Sequence, residues 1–378
     1  MSRLNELIQE LCPDGVELKR LGDQQVCVMQ RGTVITKNSI IMGEIPVIAG
    51  GKNPAYYCNQ ANRTGETITI AGSGAYAGFI SYWNIPIFVS DAFSIKGTEL
   101  CSTKYLYYLL LNMQDKIYAT KKGAGIPHVH IKDVENFKIP IPPLDVQNEI
   151  VRILDTFTSH AAELQAELQA RKEQYEYYRN KLLTFEKDDK NVKWVKLKEY
   201  AEIGTGSSNT QDELSIGLYP FFVRSQIVRR NNEYEFDETA IITSGDGVGV
   251  GKIFHYVEGK YALHQRAYRI HVLNEKIIPK FLFHYMRCEF YNYITKNAYT
   301  SSVTSIRKPM LLNFPIPILS MSEQQRIVSI LDKFEALVND LTEGLPAEIA
   351  AGQEQYEYYR NKLLTFKDVG TYHGASST

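Results

Sequence analysis

The chain has 378 residues, 44% of them hydrophobic and 22% charged, with a formal net charge of −1. At roughly 100–200 residues per domain this suggests two or three soluble domains, and no apolar run approaches the roughly 18 residues needed to cross a bilayer. The near-zero charge argues mildly against a nucleic-acid partner, so the distribution of charge matters more than its sum.

In chain order, Met1 to Leu11 reads as a polar, helix-like start and not as a signal peptide. Up to about Pro143 the sequence alternates short β-like runs with Gly, Asn and Pro punctuation, as at Thr67 to Ala71 and Ile85 to Val89, with a helical pattern at Lys104 to Met113. Pro140 to Pro143 cannot continue into a helix and marks a boundary. Next come Ile150, Leu154, Phe157, Ala161, Leu164, Leu168, Arg171, Tyr175, Tyr178 and Leu182, whose spacings alternate four and three. That is a coiled-coil seam with one polar member, Arg171.

From Glu186 to Ile318 the β-like texture returns, with Ala240 to Thr243 as a strand and Lys280 to Arg287 as a helical pattern. A second helix follows through Ile327, Leu331, Phe334, Val338, Leu341, Leu345, Ile349, Gly352, Tyr356, Tyr359 and Leu363. Two consecutive four-residue steps at Leu341–Leu345–Ile349 form a stutter. Pro346, after Gly344, would collide with the Thr342 carbonyl and predicts a kink or break.

The chain is therefore a repeat. Gln174 to Phe185 and Gln355 to Phe366 read the same, QYEYYRNKLLTF, and Ile150 to Asp155 answers Ile327 to Asp332. The fold class expected is α+β: two mixed α/β domains (1–143 and 186–318) separated by two long antiparallel coiled-coil helices (144–185, and 319–378 with the tail), in a pseudo-twofold internal repeat. The mixed domains carry a charge of +2 and +3 and the helical parts −2 and −4, which suits domains that touch phosphate and a spacer that does not.

Several motifs invite a catalytic reading. Asn53-Pro54-Ala55-Tyr56 resembles the loop that binds a flipped adenine in amino-methyltransferases, but no βαβ series with a glycine-rich cofactor turn accompanies it, so a turn in a recognition domain is the better reading. Gly72 to Gly78 and Gly245 to Gly251 resemble phosphate loops without the Lys-Ser/Thr ending, and fit glycine-rich hairpins that let backbone approach closely. His128 and His130 lack metal partners at useful spacing. Cys12, Cys27, Cys58, Cys101 and Cys288 form no C-x-x-C pair and read as reduced thiols of a cytoplasmic protein. No catalytic or metal residues are assigned. The candidate DNA-contacting set is Lys52, Asn53, Tyr56, Ser73, Tyr76, Lys121, Lys122, His128 and His130 in the first mixed domain. In the second it is Arg224, Arg229, Arg230, Lys252, Arg266, Arg307 and Lys308.

Together Ile139-Pro140-Ile141-Pro142-Pro143-Leu144 to Gln147, Glu323-Gln324-Gln325, the two Ile-Leu-Asp segments, both QYEYYRNKLLTF copies, Cys12 to Val16 and the tandem tetrapeptide in Ala161 to Gln169 resemble the specificity subunits of type I restriction-modification systems. The resemblance covers nearly the whole chain. It implies a subunit without catalysis of its own that binds double-stranded DNA at a bipartite target and assembles with two methyltransferase subunits and two ATP-driven restriction subunits. S-adenosylmethionine, ATP and Mg would belong to those partners, and no membrane is involved. Two alternatives are a self-contained DNA methyltransferase or nuclease, disfavoured by the missing cofactor turn, and a coiled-coil adaptor that binds no DNA.

Overall fold

The computed structural model describes residues 3–35, 41–123, 125–296, 305–339 and 343–369. The chain forms two compact units: residues 1–164 with 349–378, and residues 165–348.

The first unit runs α1 (Arg3–Leu11), β1 (Leu18–Arg20), β2 (Cys27–Arg31), β3 (Ile45–Ile48), β4 (Tyr56–Cys58), β5 (Thr67–Ala71), β6 (Ile80–Trp83), β7 (Phe88–Val89), β8 (Ala92–Gly97), α2 (Thr103–Asn112), α3 (Gln114–Ala119), α4 (Ile131–Val134) and β9 (Lys138–Pro140). It then enters α5 (Leu144–Leu183). A four-stranded antiparallel sheet has the order β2-β8-β5-β6. Beside it lie the sheet β4-β3-β7, in which β3 and β7 are parallel, and the pair β1-β9. All five residues of β5 are buried, as a β-branched run covered on both faces should be.

The second unit runs β10 (Lys193–Lys196), β11 (Ala201–Thr205), β12 (Tyr219–Phe222), β13 (Arg229–Asn231), β14 (Phe236–Asp237), β15 (Ala240–Ser244), β16 (Phe254–Val257), β17 (Lys260–Leu263), β18 (Ala267–Val272), α6 (Pro279–Lys296), α7 (Lys308–Leu312), β19 (Pro315–Ile318) and α8 (Met321–Asn339). Its main sheet is β11-β18-β15-β16, the same order as in the first unit, and β12 pairs parallel with β17 as β3 does with β7. β10-β19 answers β1-β9. The repeat seen in the letters is thus a repeat of topology. The proline-rich boundary segments are strands of two-stranded sheets, where a missing N–H is tolerated. Of the expected strand at Ile85 to Val89 only Phe88–Val89 forms, since Pro86 has no N–H and Ile87 makes a single bridge to Arg63. The helical pattern at Lys280 to Arg287 extends further, over the 18 residues of α6.

The seam of α5 is as its period predicts. Ile150, Leu154, Leu164 and Tyr175 are buried, Phe157, Ala161, Leu168, Arg171, Tyr178 and Leu182 half-buried, and most residues between them exposed. The first part of α5 joins the core of the first unit, and Phe157 stacks on Tyr359 there. Its later part joins the core of the second, where Tyr178 stacks on Phe334. The second helix is broken: α8 ends at Asn339, and α9 (Leu345–Leu363) begins with Gly344 accepting from Ala347 and Glu348 and with Pro346 in its first turn. The break falls where Pro346 puts it; Leu341 and Thr342 lie outside the described residues. Beyond α9, Leu364 and Phe366 enter the core of the first unit, and the Val16 N–H donates to the Lys367 carbonyl at 2.9 Å. Gly15 makes this close approach possible. Its φ is +119°, and a Cβ there would lie 2.3 Å from the Lys367 oxygen.

A buried glutamine joins each mixed domain to its helix. Gln147, fully buried, donates to the Leu100 carbonyl at 2.9 Å and the Pro142 carbonyl at 2.8 Å, and its Oε1 accepts from the Ser102 N–H at 2.9 Å. Ser102 in turn caps α2. Gln324 repeats the pattern with the carbonyls of Lys276 and Leu319 and the N–H of Ile278. About two turns further on, Asp155 accepts from Tyr108 and pairs with Lys104, whereas Asp332 binds His284 at 2.8 Å and lies 3.9 Å from Lys280. Burial pushes the His284 imidazole down, against the pull of Asp332. His284, Asp332 and Glu335 have the composition of a metal site. Lys280 and Arg287 already neutralise the two carboxylates, however, and the group serves as a staple between α6 and α8.

Gln324→Ala should leave two carbonyls and one N–H without partners. It should destabilise the second unit by about 3 kcal/mol or more, at about 1–3 kcal/mol for each buried polar group left unsatisfied. Hydrogen exchange read by mass spectrometry should show lost protection at Ile278 and the start of α6, with Leu100 to Tyr105 unaffected. Gln147→Ala should give the converse pattern, and an even loss over both units would defeat the assignment.

Candidate nucleic-acid interface

The glycine-rich segments lie between β5 and β6 and between β15 and β16, each an antiparallel pair, so both are hairpin loops. In the first, the Ser73 hydroxyl donates to Asp91, and the backbone of Ser73 pairs with that of His128. His128 also exchanges two backbone bonds with Lys122, whose Nζ is 2.7 Å from Asp133. The His128 and His130 rings stack at 5.8 Å. An open groove of about 310 Å³ lies here, lined by Arg31, Val34, Gly72, Asp91, His128 and His130 among others.

The remaining candidates of this domain are more dispersed. Lys52 sits 5.2 Å over the ring of exposed Tyr76, and Lys121 4.1 Å over Tyr118. Asn53 is exposed in the turn before β4. Tyr56 is half-buried; it packs against the small core of Val47, Cys58 and Phe88, and its hydroxyl donates to the Ile35 carbonyl at 2.7 Å.

In the second domain Asp246 holds two arginines, Arg224 at 2.5 Å and Arg266 at 3.4 Å. The Arg266 N–H donates to His264 Nδ1 at 3.0 Å. Burial, then the charges of Arg224 and Arg266, push the His264 imidazole down, which suits that acceptor role. Arg229 pairs with Glu213 at 2.7 Å. Arg224, Arg229, Gln226, Asp246 and Val248 line an open groove of about 530 Å³. Lys252 turns away to the Tyr291 ring of α6 at 4.6 Å. Arg230 is exposed on β13, and Arg307 and Lys308 are exposed at the start of α7; none of these three has an ion pair among the described residues.

These sites are loop edges of charged and hydrogen-bonding side chains around glycine hairpins. Such surfaces suit phosphate and base edges better than covalent chemistry. Residues 13–174 and 189–351 each match the family of type I restriction modification DNA specificity domains. The chain belongs to the specificity subunits of type I restriction-modification systems. It is 34% identical to the EcoR124I/EcoR124II specificity subunit of Escherichia coli over 97% of both chains. Its fold is similar to that of the S subunit from M. genitalium, with a TM-score of 0.66 at 15% identity over 93% of this chain and 97% of that one. It also resembles a chain from a type I system solved for complex assembly and conformational transition, at a TM-score of 0.56, 19% identity, and coverage of 93% and 98%. The specificity subunit is the non-catalytic, DNA-recognising member of its system. Among its described residues no helix is long and apolar enough to cross a membrane.

Sequence reasoning passed over Asp91 and Asp246, because acidic side chains do not read as DNA contacts. It also passed over exposed apolar residues in these loops: Val34, Met42 and Ile126 in the first domain, and Ile216, Ile227 and Val248 in the second. The available signal was a large aliphatic residue inside a Gly/Asn/Ser-rich segment with no periodic partner.

Arg307→Ala and Lys308→Ala should each lower the slope of log affinity against log salt by about 0.9, equally for cognate and unrelated duplexes, if each neutralises one phosphate. Fluorescence anisotropy across a potassium chloride series would measure it. Unchanged slopes would remove both residues from the phosphate-contacting set.

Proposed function

We propose that the subunit reads a bipartite target, each mixed domain taking one half-site, with the two long helices antiparallel and setting the gap between them. The observation that carries this is one frame built twice, with the same strand order and the same buried glutamine, while the side chains on the exposed loops differ. Direct base readout needs loop side chains in a groove and cations on the flanking phosphates. In this reading Lys52, Asn53, Tyr76, Lys121, Lys122, Arg229, Arg230, Arg307 and Lys308 serve DNA contact alongside the residues of the two grooves. The 40 residues of α5 are roughly 60 Å long at ~1.5 Å per residue, or around 18 base pairs at ~3.4 Å.

Two methyltransferase subunits bring S-adenosylmethionine and flip the target adenine. Two restriction subunits bring ATP and Mg for cleavage. The assembly works in the cytoplasm. Both partner types follow from the family, and a related type I system has been solved for its complex assembly.

Two experiments test this. Replacing residues 1–143 with the matching domain of another specificity subunit should change one half of the methylated sequence only; a change in both halves overturns the one-domain, one-half-site reading. Inserting a third tetrapeptide after Leu168 adds ~6 Å of helix, or one to two base pairs. Mapping of methylated adenines should show both halves intact and the unspecified gap longer by one or two. An unchanged gap in an active variant would mean that α5 is not the ruler.

A further inference from the structure

In each domain three backbone segments cross at the glycine hairpin. Gly72 N–H donates to the Asp91 carbonyl at 3.1 Å, and Val129 N–H to the Gly72 carbonyl at 3.0 Å. Gly245 N–H donates to the Arg266 carbonyl at 2.9 Å, and Ile306 N–H to the Gly245 carbonyl at 2.8 Å. Ser73 bridges His128 as Asp246 bridges Ser305. In the second domain the crossing needs glycine, since a Cβ on Gly245 would lie 2.5 Å from the Arg266 oxygen; on Gly72 it would lie a tight 3.3 Å from the Asp91 oxygen. Because the main chain makes these bonds, the side chains at the crossing are free to differ, and they are opposite in character. The residue just before β8 is Asp91, whose carboxylate accepts from Ser73. Its counterpart just before β18 is Arg266, held by the Asp246 carboxylate, which Arg224 also engages.

Asp91 is exposed and acceptor-only, with lone pairs left after the Ser73 bond. Arg266 keeps 61% of its side chain exposed, and a guanidinium bonded to one carboxylate oxygen has further N–H groups to offer. In the major groove an isolated acceptor matches the cytosine amino group, and an arginine fork matches O6 and N7 of guanine. We propose that Asp91 and Arg266 are paired specificity-determining residues. Asp91 accepts from the exocyclic amino group of a cytosine in one half-site, Arg266 donates to O6 and N7 of a guanine in the other, and Ser73 and Asp246 are their positioning residues. This rests on the reading in which each domain takes one half-site. The carboxylates have a second effect, since each rejects bases that present only an acceptor at its position, by unpaired charge and like-sign repulsion.

The full-length subunit assembled with its methyltransferase partners tests this through methylated-adenine mapping and through anisotropy on duplexes with single base changes. Arg266→Ala should relax one guanine position in one half-site, with discrimination there falling on the order of 10- to 100-fold and the other half unchanged. Arg266→Gln should move that position toward adenine. Asp91→Asn should relax one cytosine position in the opposite half. Asp246→Asn keeps the loop's shape and removes the clamp, so it should weaken the same guanine preference as Arg266→Ala and create no new one. A motif unchanged in Arg266→Ala, with affinity reduced alike on all sequences and a shallower salt slope, would make Arg266 a phosphate contact and overturn the proposal alone. Relaxation in both halves from one substitution would overturn the half-site reading itself.

Discussion

The register between each mixed domain and its helix is set by one buried amide. A glutamine side chain has two donors and an acceptor with two lone pairs. Gln147 spends both donors on backbone carbonyls and accepts from the N-cap residue of α2. Buried without partners, the same groups would each cost about 1–3 kcal/mol, so the bonds hold only if the proline-rich entry, the start of α2 and the first turn of α5 are mutually in register. A leucine of similar size would pack there but would enforce no register, since apolar contact is non-directional. Gln324 imposes the same condition on the second domain. The aspartate staples about two turns later, Asp155 and Asp332, then fix the rotation of α2 and α6 about the helices.

The long helix is stabilised mainly by packing. An isolated helix has only modest intrinsic stability in water, and tertiary contact of an apolar face supplies most of the rest. The α5 seam is continuous, so every three or four residues a side chain is withdrawn from solvent, against the first unit's core early and the second unit's core later. The partner segments are not continuous. The stutter of the heptads coincides with the α8–α9 break, where Gly344 and Pro346 start the second helix. A seam that drifts out of phase is better reset at a break than strained through it.

How much of this was legible from the letters depended on whether the controlling interaction is periodic or local. The seam, the proline boundaries, the break at Pro346 and the hairpin nature of the glycine segments depend on near neighbours in sequence, and the structure has them. The return of Leu364 to Val369 onto Val16 was not legible, because nothing local to either segment encodes a bond spanning most of the chain. The candidate interface was half legible. Basic and histidine residues announce themselves by type, but Asp91 and Asp246 matter through what they hold, and that is a property of the crossing segments. Tyr56 shows the reverse: a polar aromatic in a suggestive motif whose hydroxyl is already engaged by the Ile35 carbonyl.

The same distinction explains why a duplicated chain can keep its frame while its loops diverge. Strand pairing, the hairpin crossings and the glutamine junction recruit mostly main-chain groups, which every residue except proline supplies in full. Substitution at Ser73, Asp91, His128 or at Asp246, Arg266, Ser305 therefore leaves the hydrogen-bond ladder intact, whereas substitution at Gly245 or Gln324 does not. Surface changes away from buried polar groups typically alter stability by less than about 0.5 kcal/mol, while a changed bidentate base contact shifts discrimination by about 1–3 kcal/mol. If the crossing segments read bases as proposed, they are a place where recognition energy varies several times faster than folding energy. A frame with that ratio can acquire a new half-site without passing through an unfolded intermediate sequence.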